Sequence, residues 1–263
     1  MQMILGDCLE KMQDIKTCSV DLTVTSPPYD NLRTYNGNNS QWGAGVWELA
    51  LEYLYRITKE GGVVVWVVGD ATIKGSETGT SFRQALHAME CGFRLHDTMI
   101  WAKNSVAFPD ANRYQQTFEY MFVFAKGKPA SFNMIRDREN KSFGQRVAGT
   151  TCDNRGIKKL KYKASCHGKK INRFGSRWNI WVISTNKGKK NKHPATLPEQ
   201  IANDHIISWS NKGDLVLDPF MGAGTTGKMA KVLGRDFIGI EIDESYYNIA
   251  TKRIDAAIFN ERQ

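Results

Sequence analysis

Three stretches of this 263-residue chain carry residue types at spacings that could do chemistry. The first is Thr25-Ser26-Pro27-Pro28-Tyr29, directly after the half-apolar run Val20-Asp21-Leu22-Thr23-Val24. Two successive prolines fix φ at about −65° and donate nothing to a sheet ladder, so they end a strand and leave a stiff turn at its carboxyl end, where α/β folds bind ligands. The second is Leu215-Val216-Leu217-Asp218, running into Pro219-Phe220-Met221-Gly222-Ala223-Gly224-Thr225-Thr226-Gly227. Gly222, Gly224 and Gly227 satisfy G-x-G-x-x-G, and Glu241 follows Gly222 by nineteen residues. Glycines there let backbone approach an adenosine-containing cofactor, and a carboxylate ending the next strand can accept from both ribose hydroxyls. The third is a long basic run near residue 170. Each stretch also has a plainer reading, as a rigid loop, a tight turn or a solvated face.

The cofactor class follows from charge. A dinucleotide needs a helix N-terminus open to its pyrophosphate, and Asp218 sets a negative charge beside it. A sulfonium cofactor has no phosphate and is itself cationic, so S-adenosylmethionine is favoured over NAD. The five cysteines, Cys8, Cys18, Cys91, Cys152 and Cys166, are scattered and never form C-x-x-C, which argues for free thiols. Cys152, Cys166 and His167 lack a fourth zinc ligand at sensible spacing, so no metal is expected.

The net charge of +9 is unevenly distributed. Residues 154–192 hold thirteen Lys and Arg and no acid, leaving a body that sums to −4. Lys158, Lys159, Lys161, Lys169, Lys170, Arg173 and Arg177 lie in this run, interleaved with Tyr162, Phe174, Trp178 and Trp181. Cations among planar groups are what a nucleic-acid surface needs.

These residues must be held by elements, and the pattern is α/β. Apolar runs at 3–5, 20–25, 63–69, 95–102, 120–125, 215–218 and 237–241 read as strands of a doubly wound, mostly parallel, Rossmann-like sheet. Helices are expected at 8–12, 47–58, 80–91, 198–208, 225–233 and 244–259. The segment 98–125 has no room for a crossover helix, so its two strands form an antiparallel pair at the edge. Thr196 and Glu199 have the spacing of a capping box with Pro198 in the first turn. Asp30–Gly45 is a polar functional loop, and 126–192 lacks the alternation and reads as an inserted region. The longest apolar run, Val63–Val68, is far below the roughly 20 residues of a membrane helix, so a soluble, non-secreted protein is expected.

The pair TSPPY and DPFMGAGTTG, in that order, resembles the amino-directed DNA methyltransferases of the circularly permuted β type, which act on N4 of cytosine or N6 of adenine. Gly6-Asp7-Cys8 resembles their opening cofactor motif, Ser26-Pro27-Pro28-Tyr29 the catalytic motif, and His193-Pro194-Ala195 with Pro198-Glu199 the motif before the methionine-binding part. Gly239-Ile240-Glu241 resembles the ribose-binding strand. The resemblance implies residues 1–125 and 193–263 as the S-adenosyl-L-methionine-dependent methyltransferase domain and 126–192 as the target-recognition insertion. It implies a cofactor site at Asp7, Cys8, Thr25, His193, Pro194, Asp218, Pro219, Phe220, Gly222, Gly224, Thr225, Glu241 and Ile242.

An exocyclic amine is a poor nucleophile because its lone pair is delocalised into the ring. In this family the Ser26 hydroxyl and Pro27 carbonyl would hydrogen-bond its two hydrogens, Pro28 would stiffen the turn, and Tyr29 would stack on the flipped base. Ser26 stands where many members have Asp, which resembles the N4-cytosine subgroup; N6-adenine is the alternative. Arg33 and Tyr35 either contact the target strand or belong to a loop closing over the cofactor. No cysteine follows a proline, which excludes thiolate attack at cytosine C6 in the manner of the C5 enzymes. A catalytically silent DNA-binding homologue, an NAD-dependent oxidoreductase and an RNA methyltransferase stand as lesser readings. Double-stranded DNA is the implied partner, in the cytoplasm of a prokaryote or encoded by a phage, with room for a cognate restriction endonuclease and for a homodimer.

Overall fold

A computed structural model describes residues 1–28, 43–106, 109, 111–152, 157–160, 166–185 and 196–259. The chain divides into two compact units, the first made of Met1–Asn133 with Asn179–Gln263 and the second of Met134–Trp178.

In the first unit, β1 (Gln2–Leu5) leads to α1 (Cys8–Gln13), whose first turn is held by Asp7 accepting from the Leu9 N–H at 2.7 Å. β2 (Val20–Thr25) is followed by α2 (Ala44–Ile57), which passes without a loop into β3 (Thr58–Val68). A short hairpin, β4 (Thr72–Ile73) and β5 (Ser76–Glu77), precedes α3 (Thr80–Glu90), β6 (Arg94–Ala102) and β7 (Phe118–Ala125). β3 reads as an unbroken apolar run because both of its faces are covered. Val63, Val65 and Val67 pack on one side with helix residues Ile201, Ile206, Met229 and Ile254. Val64, Trp66 and Val68 pack on the other with Met12, Leu51, Leu54 and Ala88. The two clusters are the two cores of an α/β/α sandwich.

Among its described residues the second unit carries four short strands, β8 (Arg138–Glu139), β9 (Thr150–Cys152), β10 (Lys158–Leu160) and β11 (Phe174–Gly175). They pair antiparallel as β8 with β11 and β9 with β10. None of its described residues is fully buried. Ladders and ion pairs, not a hydrophobic core, organise what is described of it.

The chain then returns to the first unit through β12 (Ile180–Val182), α4 (Glu199–Trp209), β13 (Leu215–Asp218), α5 (Thr225–Val232), β14 (Asp236–Glu241) and α6 (Glu244–Asp255). The main sheet has the order β1-β14-β13-β2-β3-β7-β6-β12. All its pairings are parallel except those of β7, which runs against both β3 and β6. The expected antiparallel pair is present but does not form the edge. β12 adds beyond β6 with Trp181 opposite Trp101, and Trp101 Nε1 donates to the Ile183 carbonyl at 2.8 Å.

Two further expectations are corrected. Residues 126–192 do not form one inserted body. Lys126 donates to the Tyr55 carbonyl at 2.8 Å and Asn133 N–H to the Ser208 carbonyl at 2.8 Å, while Trp181 and Ile183 are buried in the first unit, so the second unit is confined to Met134–Trp178. The Thr196–Glu199 capping box does not form either. Pro198 occupies the cap position with no side-chain cap, and Glu199 instead accepts from Lys228 Nζ at 2.6 Å and Arg253 at 3.2 Å. Two cations of neighbouring helices outcompete a reciprocal cap.

Candidate active site

β13 is followed in the chain by β14 on one side of it, and β2 is followed by β3 on the other. The connections leaving these adjacent strands diverge, so a crevice opens at their carboxyl ends, the switch point where doubly wound sheets hold ligands. Both motifs end there. Thr25, last in β2, donates through Oγ1 to Asp218 Oδ1, last in β13, at 2.7 Å, joining residues 193 apart in sequence. Thr226, in the first turn of α5, has one hydroxyl proton to share between the Val24 carbonyl, at 3.1 Å, and the Asp218 carboxylate. Ser26 and Pro28 are half-buried and Pro27 is buried, immediately beyond that joint.

The glycine loop is held from below and from the side. Met221 N–H donates to the Ile240 carbonyl at 2.9 Å, and Gly222 N–H to Glu241 Oε2 at 2.7 Å. Gly222 and Gly224 have φ of 51° and 72°, the left-handed region that favours glycine. A Cβ on Gly224 would lie 2.8 Å from the Ala250 Cβ, and one on Gly227 would lie 2.5 Å from Phe237 Cε1. The first and second glycines thus shape the turn, while the third lets α5 approach β14 and α6.

Two carboxylates face this loop. Burial pushes the Asp218 carboxyl up to about 6, against the hydrogen bonds from Thr25, Thr226 and the Phe220 N–H that pull it down. Burial also raises Glu241, with Asp218 and Asp243 adding to the effect and the N–H groups of Asp243 and Gly222 opposing it. Glu241 accepts those N–H groups with one oxygen each, at 2.9 and 2.7 Å. A carboxylate has about four acceptor directions, so capacity for two hydroxyls is left. Both groups gain by meeting a cation or donors, which fits a positively charged nucleoside cofactor and opposes a pyrophosphate.

The opening motif sits beside this site. Gly6 N–H donates to the Glu241 carbonyl at 2.9 Å, and Asp7 spends an oxygen on capping α1. Cys8 is buried and its thiol is pushed up to about 12 by that burial and by Asp7, so it is no nucleophile. Pro219 and Thr225 are buried in the loop, and Ile242 is exposed after Glu241. Tyr29, Arg33, Tyr35, Lys161, His193 and Pro194 lie outside the described residues.

Supporting groups that pattern-reading passed over now appear. Trp66 donates from Nε1 to Gln84 at 2.8 Å and meets Phe220 edge-on at 6.0 Å between centroids, so α3 and β3 set that ring. Arg253 donates to the Ala223 carbonyl of the loop and is braced by Glu199. Neither has a local signal, because each depends on helices brought together across the sheet. In the second unit Lys169 and Lys170 are exposed, whereas Arg173 pairs with Glu139 at 3.2 Å and Arg177 grips Asp137, holding that carboxyl below its ordinary range. Lys158 and Lys159 lie on β10.

A doubly wound sheet with one reversed strand, whose switch point offers carboxylates instead of a phosphate cradle, defines a Rossmann-like methyltransferase. A family model described as DNA methylase matches residues 20–252, and the chain belongs to this family of N6- and N4-directed DNA methyltransferases. The orphan methyltransferase M.BamHII of Bacillus amyloliquefaciens is 51% identical over 250 residues, covering 92% of this chain and 91% of that protein. Two solved structures share the fold. The cytosine-N4-specific PvuII DNA methyltransferase has a TM-score of 0.71 at 20% identity, covering 99% of this chain and 87% of that one. The M1.HpyAVI–SAM complex has a TM-score of 0.63 at 24% identity, covering 96% and 98%. The cofactor of the family is S-adenosyl-L-methionine, and the raised carboxylates and glycine loop fit it.

Proposed function

We propose that this chain methylates the exocyclic amino nitrogen of a flipped base in double-stranded DNA, at N4 of cytosine. The observation that carries the reading is the Thr25–Asp218 hydrogen bond, which couples the Ser-Pro-Pro turn to the cofactor loop at one switch point. S-adenosyl-L-methionine supplies an electrophilic methyl group when bound. Glu241 takes the ribose hydroxyls, Asp218 favours the cationic end through its buried charge, and Gly222 and Gly224 bring backbone against the cofactor.

On the substrate side the Ser26 hydroxyl and the Pro27 carbonyl accept the two amino hydrogens and favour a pyramidal nitrogen. Tyr29 stacks on the base, offsetting part of the few kcal/mol that unstacking costs. Residue 26 has no carboxylate, so catalysis rests on positioning and the proton passes to water after transfer. That feature favours cytosine over adenine. The likeness to an enzyme described as orphan supports action without a cognate endonuclease, on DNA in the bacterial cytoplasm.

Tritiated cofactor, duplex DNA and nucleoside analysis test this directly. Label in N4-methylcytosine is expected. Label confined to N6-methyladenine would overturn the base assignment, and tight DNA binding without any transfer would favour a silent homologue.

A further inference from the structure

In the second unit Arg138 differs from Arg173 and Arg177. Arg173 and Arg177 are neutralised by Glu139 and Asp137, but among the described residues no carboxylate pairs with Arg138. Arg138 is nevertheless fixed. Its Nε donates to the Ser176 carbonyl at 3.0 Å, and its guanidinium lies 4.9 Å from the centroid of the Trp178 ring, which is 68% exposed. The β8–β11 register sets Gly175 opposite Arg138, where a Cβ would come within 2.5 Å of a terminal guanidinium nitrogen. A glycine at 175 is therefore what lets the guanidinium lie across the ladder and reach the indole.

We propose that Arg138, laid on the Trp178 ring, is a specificity-determining residue that reads a guanine in the recognised duplex. This rests on the DNA methyltransferase reading above. The chemistry selects the base. With Nε committed to Ser176, the terminal nitrogens remain as a planar two-pronged donor, which matches the O6 and N7 acceptors on the major-groove edge of guanine and no other base equally well. Stacking on an aromatic face and a fixed Nε remove the rotamer freedom that a surface arginine loses on binding, so the donor is preorganised. An arginine serving only a phosphate needs neither restraint.

The test is selection of bound duplexes from a randomised pool by the full-length parent, Arg138→Lys, Arg138→Ala and Trp178→Ala, with methyl transfer to the selected DNA measured alongside. The parent is expected to enrich a motif with a required guanine. Arg138→Ala should lose discrimination at that one position by roughly 5- to 150-fold. Arg138→Lys, which keeps the charge and loses the fork, should relax the same position, and Trp178→Ala should do so more weakly. Unchanged melting temperatures would exclude loss of fold as the cause. An unaltered motif in Arg138→Ala, or affinity reduced equally for all sequences as a phosphate contact would give, overturns the proposal. If the parent enriches a guanine motif that Arg138→Ala loses, yet transfers no methyl group, the specificity role stands and the catalytic reading falls.

Discussion

Asp218 is a carboxylate that the fold holds partly against its own ionisation. Its folded value of about 6 lies above the ordinary 3.8, so its contribution to stability is fully present below about 3.8 and is lost as pH rises through 6. The full difference is about 3 kcal/mol. Asp218→Asn keeps an acceptor for Thr25 and carries no charge, so the variant should gain on the parent by up to that amount between pH 4 and pH 7.5 in urea unfolding. Parallel pH profiles would show that the carboxyl is not strained by burial. The same ionised group should favour a cationic ligand, so cofactor affinity of the parent should weaken as pH falls below 6 while that of Asp218→Asn stays low and flat. Cys8 offers a second residue-level check. Its buried thiol, pushed up to about 12, should resist iodoacetamide at pH 8, whereas exposed Cys18 reacts, with peptide mass spectrometry as the readout. Equal labelling of the two would mean that α1 opens readily.

At the scale of elements, the closest tolerance is where α5 crosses β14 and α6. Gly227→Ala would drive a methyl into Phe237 and Ile254, at 2.5 and 2.6 Å, and should cost about 1–3 kcal/mol in denaturant unfolding. A neutral substitution there would mean that the helix can shift away. Most elements were legible in the sequence because their causes are local. The strand-loop-helix from Leu215 to Gly227, the apolar β3 and the proline stop after β2 each announce themselves by period and by breakers. β12 did not, since three residues inside a cationic run show no period, and its place is decided by Trp101 and Ile183. The cap of α4 was misread because Thr196 and Glu199 have the right spacing while the energetic competitors of Glu199, Lys228 and Arg253, lie far along the chain. The candidate site was legible in its two motifs, but the Thr25–Asp218 joint and the Gln84–Trp66–Phe220 chain required the strand order.

For the whole molecule, the excess positive charge is less available than its count suggests. Asp137 and Glu139 precede the acid-free run, yet the second unit brings them onto Arg177 and Arg173. Replacing Lys169 and Lys170 by Ala should therefore reduce the slope of log K against log salt for DNA binding by roughly 1.8, at about 0.9 per phosphate contact. Arg177→Ala should change it by much less, and an equal change would mean that the Asp137 pair yields on binding. The sheet order has one more consequence, for the order of events in the cell. Gln2–Leu5 finds its partner strand only at Asp236–Glu241, and Thr25 meets Asp218 across 193 residues. During synthesis, the Thr25–Pro28 side of the crevice leaves the ribosome long before the Asp218–Glu241 side exists. On the proposed function, nascent chains and C-terminally truncated products that lack Leu215–Glu241 should transfer no methyl group, and the early strands must wait with unpaired edges in the period when aggregation competes with folding.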